Sequence, residues 1–385
     1  MTKIKNLKKT ADRIRKAIND KEKIILYGDA DVDGTTSVII LEDSIKSLAG
    51  KVVDVYFPDR EIEGHGITEI GLKFLEKHAP GLLVVLDCGI GDVKEVDLAK
   101  KMGFEVIIID HHEPLAEIPK AKIIVNPKME KDPTVFREFS AGGLAFKVAE
   151  ELLADKMTET LKKNLLELTA LSTIADMVPK EKENKFFIDQ GVAFLKDSWR
   201  PGIKAFLEEE SFKDYSTINQ KIHKIISILN VRDVSNRLPA SFRLFNAIDL
   251  TEAKTIVKQL LVEAEKKKQK ILEIIDQVEQ KIEKQTEPII FQGGEDFELT
   301  LICSVASTLC QKYLKPVFLY KKMLKQSHGT VRSPKTIDSV CLMKKCSKLL
   351  ITYGGHAQAS GFRLKNDNLE KFKNCLIKNI SLCEK

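Results

Sequence analysis

Five short apolar runs recur through the first third of the chain: KIILYG (23–28), KVVDVYF (51–57), LLVVLD (82–87), EVIIID (105–110) and KIIVN (122–126). Their length and their β-branched content predict buried strands. Between most of them the apolar positions switch to helical spacing, at 35–49, 68–78 and 92–102. This alternation predicts a parallel, doubly wound sheet, in which ligands bind beyond the carboxyl ends of the strands.

From about 140 to 250 the pattern is mainly helical, with segments at 141–154, which opens on Ala-Gly-Gly, at 161–175 and at 217–229. Residues 251–286 read as one long helix. Val257, Leu260, Leu261, Ala264, Ile271, Ile274, Ile275, Val278 and Ile282 form its apolar stripe, the basic run Lys266–Lys268 falls on a solvated face, and Pro288 closes it. A smaller unit follows, with strand signals at 287–291 and 316–320, a helical stretch after Asp296, and helical patterns near 337–349 and 367–380. The fold class is therefore α/β: a parallel-sheet domain with a helical extension (1–250), a connecting helix (251–287) and a smaller α/β domain (288–385).

Composition narrows the class without choosing the function. Hydrophobic residues at 43% and charged residues at 31% exclude a disordered chain. No apolar stretch reaches the ~18–20 residues of a membrane span. The basic N-terminus continues as an amphipathic helix, with no signal-peptide core behind it. A cytoplasmic location is the expectation. Of seven cysteines, Cys88 stands alone and the other six (Cys303, Cys310, Cys341, Cys346, Cys375, Cys383) lie in the C-terminal quarter. No CxxC pair marks a zinc site, and reduced, mostly buried thiols are expected. A net charge of +6 permits a polyanionic partner and does not demand one.

The chemistry is concentrated at strand ends. KIILYG is followed by Asp29, Asp31, Asp33 and Gly34, LLVVL by Asp87, and EVIII by Asp110, His111 and His112; a later helical run ends at Asp176. Three carboxylates at alternate positions repel one another at neutral pH, and a divalent metal offsets that repulsion economically. Carboxylates with one or two histidines suit Mn²⁺ or Mg²⁺; thiolates would be expected for structural zinc. An EF-hand reading of the first loop fails because a strand, not a helix, precedes it.

The order and placement of these clusters resemble the DHH phosphoesterases, whose Asp-His-His motif stands here at Asp110, His111 and His112. The resemblance implies a binuclear Mn²⁺ centre, with Mg²⁺ as the alternative, held by Asp29, Asp31, Asp33, Asp87, His111 and Asp176. In that scheme Asp87 bridges the ions and His112 faces the scissile phosphate, with Asp110 and Asp87 counted with it among the catalytic residues. The likeness narrows to the RecJ branch through PDREIEGHGI (58–67), with His65 where tyrosine is usual, and through DHHEPLAEIPKAKIIVNPK (110–128). FSAGGLAFKVAEEL (139–152), LSTIADMVP (171–179) and ENK (183–185), Lys185 replacing an arginine, follow in the right order. LNVRDVSNRLPAS (229–241) is a degraded form of an arginine-containing segment; Arg237 matches its last arginine, whereas the departures leave Arg232 and Asn236 without a role.

HGTVRS (328–333) and YGGHAQASGFRL (353–364) resemble the Arg-Ser strand and Gly-Gly-His motif of the DHHA1 domain. That resemblance implies substrate contacts from Arg332, Ser333, Gly354, Gly355 and His356, joined by Arg237. Glycine backbones approach phosphates closely, and arginine supplies a forked donor. The implied activity is stepwise hydrolysis of terminal phosphodiesters in single-stranded DNA or RNA, in repair or replication, with a helicase or replisome protein as partner. The sequence stops about twenty residues after the Gly-Gly-His segment, which matches the shorter, archaeal-type RecJ form without an OB-fold. Two readings within the same family compete, a nano-RNase or cyclic-dinucleotide phosphodiesterase and a manganese pyrophosphatase, whose first motif opens on histidine where this chain has Tyr27. From another class, a non-catalytic replisome scaffold predicts eroded metal motifs, whereas every ligand position here is intact.

Overall fold

In the first part of the chain the elements are α1 (Leu7–Asn19), β1 (Ile24–Gly28), α2 (Val32–Ser47), β2 (Val52–Tyr56), α3 (Glu69–Leu75), β3 (Gly81–Leu86), α4 (Val93–Lys101), β4 (Phe104–Ile109) and β5 (Ile123–Val125). The helices α5 (Ala141–Leu153), α6 (Glu159–Ala175), α7 (Lys182–Leu195), α8 (Pro201–Leu207) and α9 (Ile218–Leu229) follow. A short ladder β6/β7 (Val234–Ser235, Leu238–Pro239), α10 (Ala240–Phe245) and the long α11 (Leu250–Ile282) complete it. The computed structural model describes residues 4–383 apart from 61, 115–116, 133–134, 232–233, 236 and 283–285. Arg232 and Asn236 thus lie outside the described residues.

The first sheet is wholly parallel, in the order β2-β1-β3-β4-β5. Successive side chains of a strand point to opposite faces, and the cores divide accordingly. Ile24, Leu26, Leu82, Val84, Leu86, Ile107 and Ile109 pack with the helices α1, α2 and α5. Ile25, Tyr27, Leu83, Val85, Val106 and Ile108 pack with α3 and α4. Apolar residues on both faces explain the unbroken runs in the sequence. The strand order reverses between β1 and β3, so a crevice opens at their carboxyl ends.

The expected start of α2 at residue 35 is corrected. Asp31 caps the helix by accepting the Gly34 N–H at 2.9 Å, so the helix begins at Val32 and Asp33 lies in its first turn.

Farther along, Glu167 on α6 is buried, with its carboxylate accepting the Ser198 hydroxyl at 2.6 Å. Burial pushes its carboxyl up to about 7, against the Ser198 bond and the Arg200 charge. A carboxyl raised on folding contributes stability that is complete below its unfolded value of about 4.3 and is lost as pH rises through about 7. Glu167→Gln is therefore expected to gain on the unmodified chain between pH 5 and pH 8, by at most about 3 kcal/mol. Urea unfolding at the two pH values checks this; a pH-independent difference would contradict it.

The chain divides into two compact units, Met1–Ala264 and Glu265–Lys385, and α11 runs through the division. The second unit comprises β8 (Ile290–Gly294), α12 (Leu299–Tyr313), β9 (Val317–Lys322), β10 (Gln326–Arg332), α13 (Ser339–Lys345), β11 (Leu350–His356), β12 (Ala359–Lys365) and α14 (Leu369–Asn379). Its sheet runs β11-β12-β10-β9-β8, with β8 and β9 parallel and the remaining pairs antiparallel. One face packs on α12 and the end of α11 through Val317, Leu319, Ile302 and Val278. The other packs on α13 and α14 through Phe291, Phe318, Phe362, Leu342 and Phe372. Among the described residues no helix is long and apolar enough to cross a membrane.

The expectation of reduced cysteines holds for Cys88, Cys303 and Cys310 and is corrected for the other four. Cys341 is bonded to Cys383 and Cys346 to Cys375. Packing of α13 against α14 and the segment Ile380–Cys383 brings together residues 42 and 29 positions apart, which local spacing cannot reveal. Closing either loop stabilises by about 3–4 kcal/mol in the chain-entropy account. Thiol titration of the denatured, unreduced chain is expected to find the three free cysteines named above, and a reductant to lower the unfolding midpoint. Seven titratable thiols before reduction would contradict the pairing.

Candidate metal centre

Strand register builds the site. Gly28 pairs with Leu86, and Leu86 with Ile109, so the next residues, Asp29, Asp87 and Asp110, leave three adjacent strands side by side. The backbone N–H of Asp87 donates to Ile109 O and that of Asp110 to Val125 O, both at 3.0 Å, which extends the ladder to these residues. Asp87 then turns into the left-handed region (φ 63), a conformation aspartate tolerates better than most residues. Gly34 lets the first loop fold tightly, since a Cβ there would stand 2.3 Å from Asp29 O.

Two helices complete the cluster. Asp33 accepts the N–H groups of Ala141 (2.8 Å) and Gly142 (2.9 Å) at the start of α5, and also the Ser172 hydroxyl of α6. A helix N-terminus favours a carboxylate in this way. Asp176 ends α6, and Met177 turns the chain away with φ 57. His111 lies among them: its Nε2 is 3.1 Å from Asp87 and 3.7 Å from Asp33, and its Nδ1 is 3.5 Å from Asp176. Ligand atoms of Asp29, Asp31 and Asp87 lie within 4.8 Å of one another, as do those of Asp33, His111 and Asp176, and those of Asp87, His111 and His112.

Asp110 does a different job. Its buried carboxylate accepts the N–H groups of Ile90, His111 and His112 and meets His112 Nδ1 at 2.8 Å. That bond to Asp110 raises the His112 imidazole to about 9, so it is protonated at neutral pH. Burial, with the His112 charge beside it, lowers His111 to about 4 and keeps it neutral, with a lone pair to offer. Asn126 fixes the backbone of this loop by donating to His112 O at 2.9 Å.

Charge in the cluster is unbalanced. Arg60 spans Asp29 (2.5 and 2.6 Å) and Asp31 (2.8 Å). Burial alone would raise Asp29, but the imidazole of His65, 3.9 Å away, and the Arg60 hydrogen bonds and charge together outweigh it and hold the carboxyl well below the usual carboxylate range. Among the described residues no lysine or arginine forms an ion pair with Asp33, Asp87 or Asp176. Burial and the neighbouring carboxylates push Asp33 and Asp87 upward, and burial with Asp31 pushes Asp176 up to about 7. Oxygen donors with one neutral imidazole, short of positive charge, fit hard divalent cations such as Mn²⁺ or Mg²⁺.

Arg60 and Asn126 are not among the site residues expected from sequence. Arg60 lies in PDREIEGHGI (58–67), the segment already matched to the family, and follows β2, the strand beside β1.

Outside the cluster, Arg237 is exposed in a left-handed turn (φ 65), its guanidinium 4.0 Å above the Phe74 ring. In the second unit Arg332 and His356 both pair with Ala359, so they share a row across the sheet. The Arg332 guanidinium donates to Ser307 Oγ, Thr330 Oγ1 and Val331 O. Ser333 is buried and donates to Ile337 O at 2.9 Å, so its hydroxyl is engaged within its own loop. Gly354 and Gly355 lie on the exposed edge strand β11, Gly355 with φ 123.

Residues 23–173 match the DHH family, N-terminal domain. With a switch-point cluster built on Asp110, His111 and His112, the matched residues form a DHH-family domain. The chain is RecJ-like over nearly its whole length. It is 32% identical to the single-stranded-DNA-specific exonuclease RecJ of Bacillus subtilis (strain 168), across 97% of this chain and 47% of that protein. The chain thus spans about half the length of that relative. Its fold matches RecJ of Thermus thermophilus in complex with Mn²⁺ (TM-score 0.83, 24% identity, 98% of this chain and 55% of that one). It also matches a crystal structure of exonuclease RecJ bound to manganese (TM-score 0.79, 24% identity, 98% and 94%).

Proposed function

We propose that the chain is a divalent-metal-dependent exonuclease that hydrolyses terminal phosphodiester bonds of single-stranded nucleic acid and releases mononucleotides. The observation that carries this reading is the convergence of Asp29, Asp31, Asp33, Asp87 and Asp176 around neutral His111 with too little positive charge. These six residues would hold two ions, Mn²⁺ by preference, with Asp87 shared between them. When bound, the ions supply water activation and positive charge for the phosphodiester oxygens. Asp110 keeps His112 protonated and aimed outward, where it donates to the phosphate. Arg237 contributes a further guanidinium to the strand. In the second unit Arg332, His356 and the Gly354–Gly355 backbone would contact phosphates, with Ser333 shaping their loop. Relatives named as single-stranded-DNA-specific exonucleases support the substrate class. A helicase or other replisome protein presenting the strand, in the cytoplasm, belongs to the same reading.

Purified chain with Mn²⁺ and end-labelled single-stranded DNA, RNA and duplex tests it. Mononucleotides released from a single strand, and no release in EDTA, are expected. An inert chain, or internal cuts alone, would contradict the proposal.

A further inference from the structure

Every carboxylate oxygen of Asp29 and Asp31 accepts a hydrogen bond. The backbone N–H groups of Ala30 and Gly34 take one oxygen of each, at 2.7 and 2.9 Å. The Arg60 guanidinium takes both oxygens of Asp29 and the second oxygen of Asp31. The backbone donors belong to the turn itself, so Arg60 is the donor among these that can leave. A guanidinium keeps its proton in proteins, so the charge it brings is permanent. Asp29, Asp31 and Asp87 also present ligand atoms within 4.8 Å of one another. A divalent ion and the guanidinium therefore compete for the same oxygens, and each repels the other.

The loop between β2 and α3 that carries Arg60 is clamped from three sides. The Glu63 carboxylate accepts the Tyr56 hydroxyl, the Asp59 N–H and the Thr68 hydroxyl. The buried Tyr27 hydroxyl of β1 donates to Gly66 O and accepts the Thr68 N–H, both at 3.1 Å. Asp92 stands at the N-cap of α4, yet its side chain caps no N–H of that helix. It accepts the Ile67 N–H instead, at 2.7 Å. Gly66 lies against it: φ is 87, and a Cβ there would stand 2.5 Å from the Asp92 carboxylate. A loop ordered in advance makes its guanidinium a stronger competitor, because little further ordering is needed to place it.

We infer that Arg60 is a built-in counterion that occupies Asp29 and Asp31 until a divalent ion displaces it, and that Asp92 is the positioning residue that keeps it there. The ion-free chain thereby balances its first carboxylates, and metal loading acquires a concentration threshold. The inference rests on the metal reading of this cluster and adds to it a residue that opposes the ion.

Phenylglyoxal modifies accessible guanidinium groups, so its rate at Arg60, followed by peptide mass, reads the contact without any activity. In EDTA the full chain is expected to react slowly at Arg60, and saturation with Mn²⁺ to speed the reaction at least about fivefold, as the released form becomes populated. Asp92→Ala is expected to give the fast rate already in EDTA. Asp92→Asn, which keeps an oxygen for the Ile67 N–H, is expected to stay slow. In a Mn²⁺ titration, Arg60→Ala and Asp92→Ala are each expected to bind the ion at least about fivefold more tightly. Loss of the Asp92 charge by itself would weaken a cation, so the sign separates release of Arg60 from a change of charge. Since Asp92 acts through Arg60, the double variant is expected to bind within about twofold of Arg60→Ala. An Arg60 that reacts at one rate with and without Mn²⁺, in a chain that binds the ion, would overturn the inference and leave the metal reading standing. Weaker Mn²⁺ binding in Arg60→Ala would do the same. A chain that takes up no Mn²⁺ would overturn both.

Discussion

Asp87→Asn is expected to lower kcat for phosphodiester hydrolysis at least about a thousandfold, equivalent to roughly 4 kcal/mol of transition-state stabilisation. The folded chain should survive the change. Asp87 adopts φ 63, which asparagine also tolerates, and alanine would add backbone strain to the loss of charge. Burial and the surrounding carboxylates already disfavour its negative charge, so a neutral isostere relieves repulsion in the metal-free protein. Melting of the EDTA-treated variant at or above the unmodified temperature, with activity lost, is the expected pair of results. Activity within tenfold of the unmodified chain would remove Asp87 from the centre.

The second large effect concerns the histidine that faces outward. His112→Ala is expected to reduce kcat by about 10²–10⁴, the usual range for a lost proton donor. Metal affinity should fall far less than in Asp87→Asn, because His111 supplies the buried nitrogen. Asp110→Asn separates donor from support. The carboxylate holds His112 at about 9, and without it the imidazolium is lost nearer the ordinary value of about 6.5. Activity that needs the protonated ring would then decline on the alkaline side about two pH units earlier. A pH–rate profile for kcat in both proteins decides it; coincident alkaline limbs would refute a protonated His112.

Much of this site was legible because it is built on strand ends. Apolar runs mark where β1, β3 and β4 stop, and parallel register then aligns Asp29, Asp87 and Asp110 without further information. What needed coordinates was the direction of each carboxylate. Asp110 belongs to the Asp-His-His motif, yet its oxygens are taken by backbone N–H groups and His112, a difference that only hydrogen bonding reveals. Arg60 lies in the segment PDREIEGHGI that the resemblance marked, but its role was hidden for a related reason: only the β2–β1 adjacency shows that it reaches Asp29. In the second unit the glycines of LITYGGH obscure an edge strand, because unpartnered Gly-Gly reads as a turn. The pairing of Cys341 with Cys383 depends on tertiary packing, as does that of Cys346 with Cys375.

The most direct measurement is a Mn²⁺ titration of the metal-free chain, with free ion followed by electron paramagnetic resonance. Two ions taken up per chain, with spin coupling between them, and uptake reduced in Asp87→Asn, is the predicted result. Uptake no greater than in Asp87→Asn, or none at all, would mean that the carboxylates gathered around His111 do not form a metal centre.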